Sequence, residues 1–196
     1  MSSFVHTKFQ ERAILLEGVP VLLEVAEHFV TPELNTALGV WREKRGVRVL
    51  PERSAFSMRE LKGVLRNMAL LEISGLVSDR RYFVRYMGSE LDNQLTPMTG
   101  KYVDDVLPSY FLEKWTTVWS PSIDSRMPMR SISRAEFQNR EYCLVEAIYL
   151  PLGEDGLTPN MLLTAVFYHQ VETGDEGARR SAQTLLSEFN QRTGTR

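Results

Sequence analysis

Apolar residues near the N-terminus recur with the spacing of one helix face. Between positions 21 and 30 they follow an i, i+3, i+4, i+7 pattern, which predicts an amphipathic helix built on Leu22, Val25, Ala26, Phe29 and Val30. A second helix is predicted from Thr31, a suitable N-cap, to Arg45, because Gly46 is a typical C-terminal stop. The first stripe is larger than one short helix would leave in water. We therefore expect a homodimer whose interface contains Leu22, Val25, Phe29 and Val30.

Later runs have the composition of strands, with turn-forming residues between them. Five strands are predicted near residues 68–76, 80–88, 127–137, 141–152 and 160–169. Ser78-Asp79, Gln138-Asn139-Arg140 and the Gly153–Gly156 segment supply turns. Helical spacing predicts a long helix over 110–119, interrupted by Pro121, and a C-terminal helix over 178–189. This order predicts an α+β fold: one five-stranded antiparallel sheet with helices on one face, plus N-terminal and C-terminal flanking helices.

Several short strings in this frame resemble one known family. They are Trp41-Arg42-Glu43-Lys44-Arg45-Gly46, Leu50-Pro51-Glu52-Arg53-Ser54-Ala55-Phe56, Tyr82 with Arg85, Gly88 and Ser89, Thr99-Gly100-Lys101, and Glu146 to Leu152 with Asp155-Gly156. Together they resemble the PAS-like family of mostly uncharacterised alphaproteobacterial proteins, over roughly residues 38–170. The resemblance implies a PAS-like domain at 57–170, an N-terminal helical extension and linker at 1–56, and a C-terminal helix and tail at 171–196.

The resemblance also gives a role to the irregular stretch after Tyr82–Met87. In a PAS fold, the chain leaves the second strand, crosses the sheet through short helices and returns through a long helix, which encloses a small cavity. Gly88 would release the strand, and Gly100 would allow a turn that a side chain resists. The expected ligand is a small apolar or aromatic molecule. The residues predicted to bind it are Tyr86, Leu91, Leu95, Trp115, Trp119 and Tyr149.

Arg85 is an arginine inside an apolar strand. An unpaired buried charge is costly, so its guanidinium must reach solvent or a partner. One interpretation is an anchor for a ligand carboxylate or an interface acid. The alternative is a structural salt bridge, for instance to Asp104 or Asp105, or a solvated sheet face. Strand alternation places Tyr86 and Arg85 on opposite faces unless a bulge intervenes, and we expect Tyr86 to point inward.

Composition limits the classes of function. With 43% hydrophobic and 24% charged residues, the chain has the composition of an ordinary globular protein. A formal net charge of −2 with scattered basic residues gives no footprint for nucleic acid. The single Cys143 cannot form an internal disulfide, and no signal peptide or membrane span is evident, so a cytoplasmic location without membrane partners is expected.

The sequence offers no catalytic constellation and no metal-ligand spacing. Its three histidines are far apart, and His169 is interpreted as an ordinary residue at a strand end rather than a ligand contact. The resembling region lacks the axial histidine and the Asn-Cys-Arg string of haem-binding and flavin-binding PAS domains, so no cofactor is expected. We expect a non-enzymatic, stand-alone sensory or regulatory domain that binds a small molecule or a protein partner and signals through flanking helices. The alternatives are an enzyme using a cup-shaped α+β fold, and a structural dimerisation adaptor with a filled core.

Overall fold

One antiparallel sheet organises the chain. The computed structural model describes residues 12–16, 19–134, 143–170 and 176–194. Its strands are β1 (Arg12–Leu16), β2 (Val19–Val25), β3 (Met68–Ser74), β4 (Arg81–Met87), β5 (Met129–Arg134), β6 (Cys143–Leu152) and β7 (Met161–Gln170). Its helices are α1 (Pro32–Arg45), α2 (Ser89–Gln94), α3 (Val103–Val106), α4 (Ser109–Ser125) and α5 (Glu176–Thr193). The sheet has the order β1-β2-β5-β6-β7-β3-β4 and every neighbouring pair is antiparallel.

The five strands predicted from composition are confirmed as β3 to β7, and the α+β class is confirmed. The β3–β4 turn is held by the Asp79 carboxylate, which accepts a hydrogen bond of 2.8 Å from the Leu76 N–H. The β6–β7 turn uses Asp155, which accepts hydrogen bonds from the N–H groups of Leu157 and Thr158. The predicted turn at Gln138-Asn139-Arg140 lies outside the described residues.

The predicted first helix is wrong, because residues 19–25 form strand β2. β2 pairs with β5, with Val21 opposite Ser133 and Val25 opposite Met129, so the sheet has seven strands rather than five. A short apolar run that is buried on both faces has no alternation to distinguish it from a helix. The second predicted helix is confirmed as α1.

The four residues assigned to a dimer interface do not form an exposed stripe. Leu22 packs against α5 and Phe29 against α1, and both are 1% exposed. Val25 and Val30 are half-buried and pack against neighbouring cores of the same chain. The homodimer prediction therefore loses the surface on which it rested.

Helices cover both faces of the sheet, whereas the sequence predicted one face and flanking helices. On one face, α2, α3 and α4 pack over side chains of β3, β4 and β6. On the other face, α1 packs on β6 and α5 packs on β2 and β7. Within α4, Pro121 does not end the helix, which continues to Ser125. Trp119 and Ile123 are buried on either side of that proline, and this packing offsets the lost backbone hydrogen bond.

Candidate functional site

A cavity of about 180 Å³ lies between the sheet and the layer formed by α2, α3 and α4. Apolar side chains supply most of its wall, and a smaller group of polar residues comes from the sheet. The lining residues from the helical layer and its loops are Leu91, Leu95, Met98, Val103, Lys114, Trp115, Val118 and Trp119. Those from the sheet are Val21, Ala69, Leu71, Val84, Met87, Ser131, Ser133, Arg134, Val145, Ala147, Tyr149, Thr164, Val166 and Tyr168.

Two glycines position the segment that covers the cavity. Gly88 passes so close to the preceding loop that an added Cβ would lie 2.2 Å from the Leu65 carbonyl oxygen. Gly100 has a φ of 82°, in the left-handed region that favours glycine. Its N–H donates to the Val84 carbonyl, and the Val84 N–H donates to the Lys101 carbonyl. The covering segment is therefore fastened to the outer edge of β4.

The structure brings five of the six predicted ligand-binding residues together. Leu91, Leu95, Trp115, Trp119 and Tyr149 all line the cavity. The indole rings of Trp115 and Trp119 have centroids 5.4 Å apart and form one side of the wall.

The prediction for Tyr86 is wrong because β4 contains a bulge. Leu71 pairs with Val84 and the preceding residue, Leu70, pairs with Tyr86, which leaves Arg85 as an extra residue. The alternation reverses there, so Val84 and Met87 face the cavity. Tyr86 packs against the core on the opposite face, and its hydroxyl donates a 2.9 Å hydrogen bond to the Leu65 carbonyl.

Arg85 lies outside the cavity and forms a surface salt bridge. Its guanidinium donates to the Glu72 carboxylate on the neighbouring strand, and its side chain is 55% exposed. The suggested partners, Asp104 and Asp105, instead bind Arg81, at 2.8 and 2.7 Å. The role of an anion anchor therefore has no support at Arg85, and its structural alternative describes the observed geometry.

Polar side chains on the cavity floor lie in rows across β5, β6 and β7. Ser133 and Tyr168 flank Val145 in one row, and both are half-buried. Four residues further along β6, Tyr149 pairs with Thr164, and both residues are buried. At about 3.4 Å per residue, the two rows are about 14 Å apart. The floor therefore runs from a partly exposed end to a closed end.

The hydroxyl groups at the closed end differ in their hydrogen bonding. The Tyr149 hydroxyl is 2.8 Å from Ser131 Oγ. Burial raises the pKa of Tyr149 to about 12, so its phenol is neutral at physiological pH. Thr164 is 5% exposed, and its Oγ1 has no hydrogen-bond partner among the described residues. An unsatisfied buried hydroxyl costs stability unless a bound molecule or water supplies a partner.

A buried charge cluster lies on the reverse face of the same strands. One Glu146 oxygen accepts hydrogen bonds from Arg130 Nε at 2.8 Å and from the Val30 N–H at 3.0 Å. The other accepts from the Thr31 N–H at 2.8 Å and the Thr31 hydroxyl at 2.7 Å. The Glu146 and Arg130 side chains are 0% and 3% exposed. This cluster joins β5 and β6 to the loop before α1.

Arg130 extends the cluster to β2 and α5. Its guanidinium also donates to Glu24 and Glu188, each at 2.8 Å, and Arg192 binds the same two carboxylates. Burial acts to lower the pKa of Arg130, but the hydrogen bond to Glu188 and the charge of Glu146 raise it overall. The hydrogen bond from Arg130 in turn lowers the pKa of Glu188.

His169 belongs to this reverse face and not to the cavity. Its Nε2 lies 3.0 Å from Thr31 Oγ1, whose single hydrogen is directed to Glu146. His169 Nε2 must therefore carry a hydrogen and donate it. Burial lowers the pKa of His169, although the charges of Glu146 and Glu33 oppose this effect.

Thr164, Arg130 and Glu146 were not predicted from the sequence as functional or charge-cluster residues. Glu146 stands inside the strongly apolar strand β6, and a charge in that position requires a buried partner. That signal was available. The other partners of Arg130 come from β2 and α5, far away in sequence, and Thr164 is an unremarkable residue in a β-rich run.

Comparison with known proteins leaves the site to be interpreted from its own chemistry. No protein-family model, curated protein or solved structure matches this chain. Within the described parts, no helix is both long and apolar enough to cross a lipid bilayer. Over the same parts, no group of three or more His, Cys, Asp and Glu side chains is placed to hold a metal ion.

Proposed function

We propose that this protein is a PAS-type sensory domain that binds a small molecule in the cavity under α2, α3 and α4. The observation that carries the proposal is the cavity itself, with its apolar wall and its unsatisfied buried hydroxyl at Thr164. Ligand sites in proteins are typically concave and apolar with a few placed polar groups. The order of β3, β4, the short helices, α4 and three further strands is the order that the family resemblance implied.

The sheet offers a route from the cavity to the flanking elements. Ser131 and Ala147 face the cavity, whereas their neighbours Arg130 and Glu146 face the charge cluster. A ligand that shifts β5 or β6 would therefore act on residues that hold α5 and the loop before α1. This supports signalling through the flanking helices, because both elements share one buried network.

The two alternatives fit less well. An enzyme of the acid–base type needs acidic or histidine side chains in its pocket, and the lining residues include none among those the structure describes. A purely structural adaptor was expected to have a filled core, whereas a cavity of about 180 Å³ is large enough for a small ligand.

Native mass spectrometry of the purified protein, combined with hydrogen exchange, tests the proposal. We expect a bound small molecule, or binding of single-ring aromatic probes, and slower amide exchange in α5 when the cavity is filled. Replacing Ala147, a buried residue of the floor, by leucine should fill part of the cavity and abolish binding while the chain stays folded. Failure of wild-type protein to bind any probe would contradict the proposal, and so would binding that Ala147→Leu leaves unchanged.

A further inference from the structure

The structure assigns the ligand a chemical class: we infer that it is a small, neutral, single-ring aromatic molecule whose hydroxyl or carbonyl group bonds to Thr164. This inference rests on the proposed function. It deepens that function by naming the residue that decides which ligands fit.

The size of the cavity limits the ligand to about one ring. An engineered apolar cavity of about 150 Å³ in another protein holds benzene. The cavity described above measures about 180 Å³, which leaves room for a ring and one small substituent. Trp115 and Trp119 lie along the wall from α4, and aromatic side chains favour edge or offset contacts with a bound ring.

Thr164 fixes where the polar substituent lies. The residue faces the cavity from the closed end of the floor, and its Oγ1 has no partner within the described chain. A hydroxyl both donates and accepts, so either a ligand hydroxyl or a ligand carbonyl satisfies it. The nearby Tyr149 hydroxyl is already bonded to Ser131, so Thr164 is the group at this end that most needs a ligand atom.

The surroundings of Thr164 exclude a charged group at that end. Along β7, its neighbours on the same face of the sheet are Leu162 and Val166, and the residues opposite it are Ala69 and Tyr149. All four are uncharged, and burial of an unpaired charge among them would be strongly unfavourable. The two charged lining residues, Lys114 of α4 and Arg134 of β5, do not belong to this row of the sheet.

Titration of isotopically labelled protein with phenol, toluene and benzoate tests the inference. Thr164→Val keeps the shape of the side chain and removes its hydroxyl, whereas Thr164→Ser keeps the hydroxyl as the matched control. We expect phenol to bind wild-type protein and Thr164→Ser similarly, and Thr164→Val roughly 3- to 10-fold more weakly. Toluene should bind all three proteins alike, and benzoate should bind more weakly than phenol.

The same experiment separates failure of this inference from failure of the proposed function. If toluene binds but the Thr164→Val substitution leaves the affinity for phenol unchanged, the assigned ligand class is wrong while the cavity remains a ligand site. The same conclusion follows if benzoate binds most tightly of the three probes. If no probe binds wild-type protein, both the inference and the proposed function are wrong. A thermal melt controls for folding: Thr164→Val should melt no lower than wild type without ligand, because it removes an unsatisfied buried hydroxyl.

Discussion

Glu146→Gln is expected to destabilise the protein strongly, because Glu146 is the buried centre of the charge cluster. The carboxylate accepts hydrogen bonds at both oxygens, from Arg130 on one side and from Thr31 on the other. A glutamine of the same size presents an amide NH₂ to one of these donors and leaves the Arg130 charge with less compensation. Removing one partner of a buried ion pair costs about 3–5 kcal/mol. That loss is a large part of the roughly 5–15 kcal/mol by which a typical domain is stable.

Urea unfolding near neutral pH measures this effect, with Glu188→Gln as the control. Glu188 binds the same arginine, but its side chain is 29% exposed, so water screens the pair. We expect Glu188→Gln to lower the free energy of unfolding by about 1–2 kcal/mol, with an unchanged dependence on urea in both variants. Equal losses for the two variants would refute the argument that burial of Glu146 sets the magnitude.

Three further predictions concern packing and pH. Gly88→Ala should cost about 1–3 kcal/mol, because the backbone must move to admit a Cβ. Gly39→Ala, in α1 with nothing within 4 Å of the added Cβ, should instead raise stability by about 0.5–1 kcal/mol. Thermal melts compare the two variants, and equal shifts in their melting temperatures would contradict the predicted difference. The lowered pKa of His169 means that the unfolded chain binds more protons, so stability should fall as pH drops below the ordinary value of 6.5. Urea unfolding across this pH range measures the effect: the free energy of unfolding of His169→Gln should fall less steeply with decreasing pH than that of wild type. An equally steep fall in both proteins would contradict the prediction. Trp119→Ala should cost about 3–5 kcal/mol and Trp115→Ala less, because Trp119 is buried and Trp115 only partly so; chemical denaturation giving the opposite order would reject this ranking.

The main sheet could be predicted because its strands are separated by strong turn signals. Asp79 marks the β3–β4 turn and the Asp155-Gly156 pair marks the β6–β7 turn, and both aspartates make the local hydrogen bonds expected of turn residues. β2 was missed for a physical reason. It is an apolar run that forms a strand between β1 and β5, and Val21 and its partner Ser133 on β5 are 112 residues apart in sequence. The local pattern of apolar and polar residues cannot identify a strand partner that is so distant in sequence.

Helical spacing correctly predicted the α4 residues in the cavity wall, but strand alternation wrongly placed Tyr86 in the cavity floor. Trp115 and Trp119 are four residues apart on α4, so both reach the same wall. Tyr86 was misplaced because the bulge at Arg85 is a property of the pairing between two strands. The importance of Thr164 depends on a missing hydrogen bond, which only three-dimensional packing reveals.

The contribution of β2 to the sheet sets a limit on modularity. A segment cut at residues 57–170, the boundaries suggested by sequence, would leave β5 without its neighbour and Arg130 without Glu24 and Glu188. Because Val21 of β2 also lines the cavity, the segment 57–170 would lack part of the cavity wall as well. Anyone transferring the cavity-bearing segment to another protein by gene fusion would therefore need to include β2 and α5. β2 and α5 thus belong to the same folding unit as the cavity, although they lie near opposite ends of the chain.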